Sequence, residues 1–279
     1  MFTGNAGPIL PDTRALELII KPLIRDSIAG QVLTPVTIGT QKWRAPVVAT
    51  DPSAAWTNEG EEIAVSDGTL DEITATPKKL AALSVVSSEL ANDSSPAAIE
   101  AIGAGIVRDL VRKVDQALFS NAGTKAPKGL TSLTGTTDIM IIGGETWANV
   151  DPFSSAQIQV AGKTNATITA WVANSATVSK LANLKRGTGS NEPLLGTDPS
   201  QPGRRVILGI PVIISDYLAD DLVYGVSNAT SYLIVREDAT VEQDTSVFFT
   251  SDRVAIRAKT RLDFAFADPR TIAKIQVTS

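Results

Sequence analysis

The chain has 279 residues, 43% of them hydrophobic, enough for a substantial core in one large domain or two lobes. It contains no cysteine and no histidine, which excludes thiol nucleophiles, disulfides, Cys/His zinc sites, imidazole bases and every Ser-His-Asp triad. A net charge of −5, a 5% aromatic content and the lack of a long Lys/Arg cluster weigh against a phosphate-neutralising or base-stacking surface.

The N-terminal MFTGNAGPILPDTR has neither a basic region nor the continuous apolar run of a secretory signal. No apolar stretch approaches the roughly 20 residues that span a bilayer, so a cytosolic product without a membrane partner is expected. From Asp12 to Arg25, Leu16, Ile19, Ile20, Leu23 and Ile24 recur at helical spacing, with Asp12 as a cap and Pro22 limiting regularity. The stretch QVLTPVTIGTQKWRAPVVAT that follows reads as extended, and Pro35 and Pro46 suit edge strands.

TNEGEEIAVSDGTLDEI, Thr57 to Ile73, holds six carboxylates (Glu59, Glu61, Glu62, Asp67, Asp71 and Glu72) and no Lys or Arg. Its net charge of −6 in a chain of −5 leaves about +1 for everything else. Asp67-Gly68 is a favoured two-residue turn between short strand-forming runs, so a β-hairpin with an acidic surface is expected. After it, LAALSVVSSEL returns to apolar character.

SSPAAIEAIGAGIVRDLVRKVDQALFSN is the clearest helix, with Ser95 as cap, Pro96 at its first position, and Ile99, Ile102, Ile106, Leu110, Val114 and Leu118 along one face. From Pro96 to Ser120 it would run about 37 Å. Beyond it, ATITAWVAN reads as a strand, SATVSKLANLK as a helix with Val178, Leu181 and Leu184 on one face, and VILGIPVIIS as a buried strand broken by Pro211. KLANLKRG, Lys180 to Gly187, reads as a helix ending in solvent. From Val254 to Phe266 every second residue is apolar or neutral while Arg257, Lys259, Arg261 and Asp263 alternate with them. That pattern is a strand of about 43 Å, and no internal repeat suggests a solenoid.

Gly162-Lys163-Thr164 fails as a phosphate loop because Gln157 stands where the upstream glycine is required. The acidic residues lack the aromatic platform and the pKa-raising neighbours of a glycosidase, and no D-x-[DN]-x-[DN]-G calcium loop is present. Asn165-Ala-Thr167 and Asn228-Ala-Thr230 match the glycosylation pattern, which carries no weight without a secretory signal. A strongly acidic hairpin on a near-neutral chain gains most from the cations of another molecule. The candidates are Arg108 and Arg112 on the long helix, with Lys113, Lys78 and Lys79. Exposed pairs are individually weak, so repetition in a symmetric assembly would give them weight.

Five segments in order, AAWTNEGEEI with KKLAALSVVSSELANDSS, VDQALFSNAGTKAPKGL, WVANSATVSKLANLK, LGIPVIIS and DRVAIRAKTRLDFAFADPRTIAKI, resemble the tailed-bacteriophage major capsid proteins of the Hong Kong 97 fold family. The resemblance covers about Trp56 to Ile275. It implies an α+β fold with an N-terminal arm (1–40), and a P-domain whose first part (41–129) includes an E-loop (56–76) and a spine helix (95–121). An A-domain (130–237), long P-domain strands (238–267) and a C-terminal return to the A-domain (268–279) complete it.

The resemblance further implies pentamers and hexamers tiling an icosahedral shell around double-stranded DNA, with each E-loop, here from Trp56 through Gly68 to Glu72, lying over a neighbour. It carries no catalytic residue, metal or cofactor. Its other expected partners are a portal protein, a separate scaffolding protein, because the arm begins near Met1, and in some particles a cement protein. The place of assembly would be the bacterial host cytoplasm, and the destination the virion. Some members weld neighbours through an E-loop Lys and a P-domain Asn. Here no Lys lies between Lys42 and Lys78 and no Asn follows Asn228, so that chemistry is expected to be absent. An encapsulin-type compartment shell shares the fold and is the first alternative. The second is a carboxylate-based hydrolase or calcium-binding protein using the acidic hairpin.

Overall fold

The computed structural model describes residues 25–50, 52–60, 62–87, 96–120, 122–133, 140–144, 146–187, 189–197, 203–236, 240–244, 246–247 and 249–277. The helix expected over Asp12 to Arg25 lies outside them except for Arg25, as does the Ser95 cap. Ser27 accepts the Gly30 N–H at 3.0 Å and caps a short helix, α1 (Ile28–Val32). Helix α1 thus takes Gln31 and Val32 out of the stretch expected to be extended, while β1 (Thr34–Ile38) and β2 (Trp43–Thr50) take most of the rest. Both strands are edges, β1 of a larger sheet and β2 of a two-stranded one, where Pro35 and Pro46 remove no interior ladder bond.

Strand β3 (Thr69–Ala75) pairs antiparallel with β2, and β4 (Lys78–Ser87) follows. The long helix α2 (Pro96–Phe119) has 24 residues and a length of about 36 Å. Leu110, Val114 and Leu118 of its expected apolar face are fully buried. Two glycine and lysine contacts close its C-terminal end. Gly129 packs so tightly there that a Cβ would stand 2.2 Å from Leu118 O, and Lys78 Nζ donates to Ala126 O at 2.6 Å.

The middle of the chain forms β5 (Met140–Gly144), α3 (Asp151–Thr164), β6 (Ala170–Ala173), α4 (Ser175–Ala182), β7 (Gly196–Thr197), β8 (Arg205–Ile207), β9 (Ile210–Ile214) and β10 (Leu222–Val226). With the C-terminal β14 (Ala273–Val277) its strands make a seven-stranded sheet in the order β5-β14-β10-β6-β9-β8-β7. Val178 and Leu181 are buried as expected, but α4 ends before Leu184. The break in VILGIPVIIS falls at Leu208-Gly209, not at Pro211. Both of those residues have positive φ (50° and 79°), the backbone of a tight hairpin turn, and Pro211 pairs in register with Val206. Trp171 anchors this half, edge-on to Phe153 with centroids 5.0 Å apart.

The second sheet is built on β13 (Arg253–Phe266), 14 residues long and one residue longer than the alternation from Val254 to Phe266 indicated. One edge of β13 takes β4 over ten residue pairs, from Arg253↔Ser87 to Leu262↔Lys78. Its other edge takes β12 (Thr240–Asp244) and then β11 (Ser231–Arg236), which in turn pairs parallel with β1. Residues 231–236, placed by the sequence reading in the central segment 130–237, therefore hydrogen-bond in the β13 sheet. The main core lies where α1, α2 and both sheets converge, around Ala29, Leu110, Leu130, Tyr224, Leu233 and Leu262. Burial pushes the Tyr224 hydroxyl pKa up to about 12.

Candidate functional site

The most exposed part of the described chain is the arm that β2 and β3 begin. Their register runs from Trp43↔Ala75 to Thr50↔Thr69, and Ser66 Oγ then accepts the Ser53 N–H at 2.8 Å. The Thr50–Thr69 and Ser53–Ser66 pairs centre between Glu59 and Gly60, half a residue beyond the centre of Trp43–Ala75 because the register shifts between Val48 and Thr50, and the chain turns there with Gly60 at φ +84°. The hairpin is present, but its turn is not Asp67-Gly68. Gly68 has no positive φ, because Thr69–Ala75 pairs with the eight-residue β2 and not with the short run just before it.

Trp56 is completely exposed and Val65 91% exposed, with Ile63 and Leu70 about three-quarters exposed. Glu59, Glu62, Asp67, Asp71 and Glu72 are also exposed, while Glu61 lies outside the described residues. Glu72 is partly engaged within the chain. Its Oε1 lies 3.4 Å from Nε of Arg44 on β2, a cation upstream of the acidic stretch and not among the five expected. Among the described residues no three carboxylates are grouped to hold a metal ion.

The foot of the arm rests on the sheet face turned away from α2. Trp43 packs against Tyr232 with ring centroids 5.4 Å apart, and Ala75 and Ile73 lie with Ile234 and Ala265. Thr76 donates its backbone N–H to Asp263 Oδ2 at 2.8 Å, and Phe264 donates to Oδ1 at 2.9 Å. Burial raises the Asp263 pKa above the ordinary carboxylate value; those two N–H groups and Lys78 oppose it.

The five candidate cations fall on separate surfaces. Ile102 and Ile106 of α2 pack on Val86, Val254 and Ile256, so the helix covers one face of the β4–β13 ribbon. Arg108, Arg112 and Lys113 are exposed on that helix. Lys78 faces inward, onto the Ala126 and Thr124 carbonyls, whereas Lys79 points out on the opposite face of the ribbon. Within one copy the helix cations and Lys79 therefore lie on opposite sides of the ribbon.

A second buried carboxylate was not singled out from the sequence. Asp115 sits inside the apolar stripe of α2 between Val114 and Leu118 and accepts the Ala29 N–H at 2.9 Å, tying α1 to the long helix. Burial raises its pKa, and the Ala29 and Ile28 N–H groups oppose the rise. The signal for it was present: a lone acid beside a run of helical core positions.

These features describe a structural protein, a two-sheet body on a long helix with a large apolar and acidic arm. The chain matches the phage capsid family over residues 6–277 and belongs to it. It is a capsid shell protein with the α+β Hong Kong 97-like fold. Among solved structures it is similar to the capsid of a native GTA particle, at 18% identity over 100% of this chain and 95% of that one, TM-score 0.74. It is also similar to a chain of Mycobacterium phage Bobi, at 19% identity over 91% of each chain, TM-score 0.72. Microbacterium phage Oxtober96 gives 16% identity over 90% of this chain and 91% of that one, TM-score 0.72. None of the curated proteins compared with the chain matches it.

Proposed function

We propose that this chain is the major subunit of an icosahedral phage head, self-assembling without covalent crosslinks as pentamers and hexamers around double-stranded DNA. The observation that carries the reading is the arm: Trp56, Ile63, Val65 and Leu70 are apolar side chains presented to solvent on a projecting hairpin. Large apolar groups exposed together mark a contact surface. In this reading the arm is the E-loop, α2 and the β13 sheet with its edge strand β1 form the P-domain, the seven-stranded sheet forms the A-domain, and the N-terminal arm expected over 1–40 is confined to the residues before α1.

The catalytic and calcium-binding alternatives draw no support from the arm, whose exposed carboxylates run from the turn at Glu59 along the second limb to Glu72, with no three of them grouped among the described residues. A portal protein, a separate scaffolding protein, an optional cement protein and assembly in the bacterial cytoplasm belong to the same proposal.

Mass photometry with negative-stain microscopy, across protein concentration and salt, tests it. Rings of five or six subunits or hollow shells are expected from the unmodified protein, and Trp56→Ala should lower their yield without unfolding the subunit. A persistent monomer of 29.3 kDa at every condition would overturn the reading.

A further inference from the structure

Asp67-Gly68 forms no turn and its glycine takes no positive φ, so the backbone of the arm does not account for the pair. It is the only Asp-Gly pair in the chain, and the chain has no Asn-Gly pair. Both residues are exposed and lie outside the strands. On one side is Ser66, which accepts the Ser53 N–H, and on the other is Thr69, where β3 begins opposite Thr50.

An aspartate followed by glycine is set up to react with its own backbone. Its side-chain carboxyl carbon can close a five-membered ring with the next residue's amide nitrogen. Glycine, lacking Cβ, neither blocks the approach nor restricts the rotation that closes the ring. Other aspartates of the chain are guarded. Asp71 lies within β3 and already accepts the Glu72 N–H at 2.7 Å, and Asp263 lies within β13 and accepts the Phe264 N–H at 2.9 Å. Asp109 and Asp115 are held inside α2, and Asp151 and Asp268 precede prolines, whose nitrogens carry no hydrogen.

We infer that Asp67 is a site of spontaneous isoaspartate formation, and that the conversion takes the second limb of the arm out of register. In the first step the Gly68 nitrogen bonds to Asp67 Cγ, and the carboxyl hydroxyl leaves with the amide hydrogen as water. In the second, water opens the succinimide. Breaking the new Cγ–N bond restores aspartate. Breaking the original peptide C–N bond leaves the chain running through Cβ and Cγ and frees the main-chain carboxylate. One water leaves and one enters, so mass and charge are unchanged and no oxidant or reductant takes part.

The inserted carbon lengthens the limb by one bond of about 1.5 Å, roughly half the ~3.3 Å that a strand residue spans. The Ser53–Ser66 and Thr50–Thr69 pairs lie on either side of the insertion and cannot both keep their partners. Because successive strand residues face opposite ways, the same slip misdirects Val65 relative to Leu70, two of the exposed apolar side chains of the arm.

Purified free subunits are held at neutral pH over a time course and digested with trypsin, and peptide 45–78 is labelled with protein isoaspartyl methyltransferase. Label should accumulate at position 67. Gly68→Ala should lose most of it, and Asp67→Glu, which would need a six-membered ring, should lose all of it. Circular dichroism checks that both variants fold; should Gly68→Ala fail, Asp67→Glu carries the comparison. No label at position 67, or as much at Asp71, overturns the site. Hydrogen exchange in the isomerised fraction should quicken at residues 47–50 and 69–71, and unchanged exchange there overturns the loss of register. Particles formed from aged protein should hold less isoaspartate than the subunits left behind, and equal fractions overturn any consequence for assembly. A protein that never associates removes the assembly reading alone, because label and exchange are read on free subunits.

Discussion

Thr76 N–H and Asp263 Oδ2, 187 residues apart in sequence, meet at 2.8 Å where the arm leaves the body. Thr76 lies between β3 and β4, so this bond joins the end of the arm's ladder to the C-terminal third of the long strand. The Trp43–Tyr232 contact supports the same joint from β2.

Asp263→Ala should therefore loosen the foot of the arm before it disturbs the core. Two backbone N–H groups lose their acceptor, at an expected cost of about 1–2 kcal/mol, because the Thr76 side is exposed enough for water to replace part of the bond. Urea unfolding of unassembled subunits measures the cost. Hydrogen exchange should show its largest increase at residues 69–76, and a uniform increase across α2 would contradict the local account.

Acid should act on the same joint with a defined sign. Burial raises the pKa of Asp263, and of Asp115 beneath α1, above their unfolded values. Stability linked to each shift is fully present below the unfolded carboxylate pKa of about 4 and is lost as pH rises through the raised folded pKa. Asp263→Asn should flatten the pH dependence of unfolding in that window. An unchanged slope would show that Asp263 titrates as it does in the unfolded chain.

The sequence made the regular features legible and left the long-range ones hidden. The periodicities of α2 and β13 are legible almost to the residue, since Leu110, Val114, Leu118 and Leu262 line the main core while Val254 and Ile256 pack in a neighbouring cluster under the same helix. Asp67-Gly68 misled because a local turn preference competes with a ladder that only the distant β2 supplies. Pro211 misled similarly: a proline ring tolerates a strand position beside the true turn at Leu208-Gly209. In the candidate site the acidic arm was evident from charge alone. The common face that Lys79 shares with the alternating cations of β13 was not, because only the β4 ladder creates it.

Asp221 is a hub between α4 and the C-terminal strand. Its carboxylate accepts from Trp147 Nε1 at 2.8 Å and from Lys180 Nζ at 2.7 Å, and its backbone N–H donates to Thr177 Oγ1. The Lys180 hydrogen bond, then the Trp147 bond and the Lys180 charge, hold its pKa below the usual range. Asp221→Ala should cost about 1–3 kcal/mol, most of it from the Trp147 side, because Lys180 is half exposed. Trp147→Phe in the same background should add less than it costs alone, as expected of a coupled pair.

Gly225 has no room for a side chain: a Cβ would stand 2.3 Å from Trp171 Cζ3 and 2.8 Å from Cε3. Trp171 is fully buried against Phe153 and cannot swing away without opening the seven-stranded sheet's core. Gly225→Ala should cost about 1–3 kcal/mol by overpacking. Unfolding midpoints in urea check this, with Gly105→Ala on α2 as the control. Its new Cβ meets nothing nearer than 3.7 Å and should be neutral or slightly stabilising.

Val65 separates subunit stability from assembly. With 91% of it exposed, Val65→Ser removes no core contact and should change subunit unfolding by no more than about 0.5 kcal/mol. Within a particle the same side chain would be covered by another copy, and every subunit contributes the loss. Particles of the variant should dissociate at lower denaturant or higher dilution than unmodified ones. They should also run as a single band near 29.3 kDa on a denaturing gel, as should the unmodified protein, because no Lys lies between Lys42 and Lys78 to form an arm crosslink. A ladder of covalent multimers would show that the shell is held by bonds.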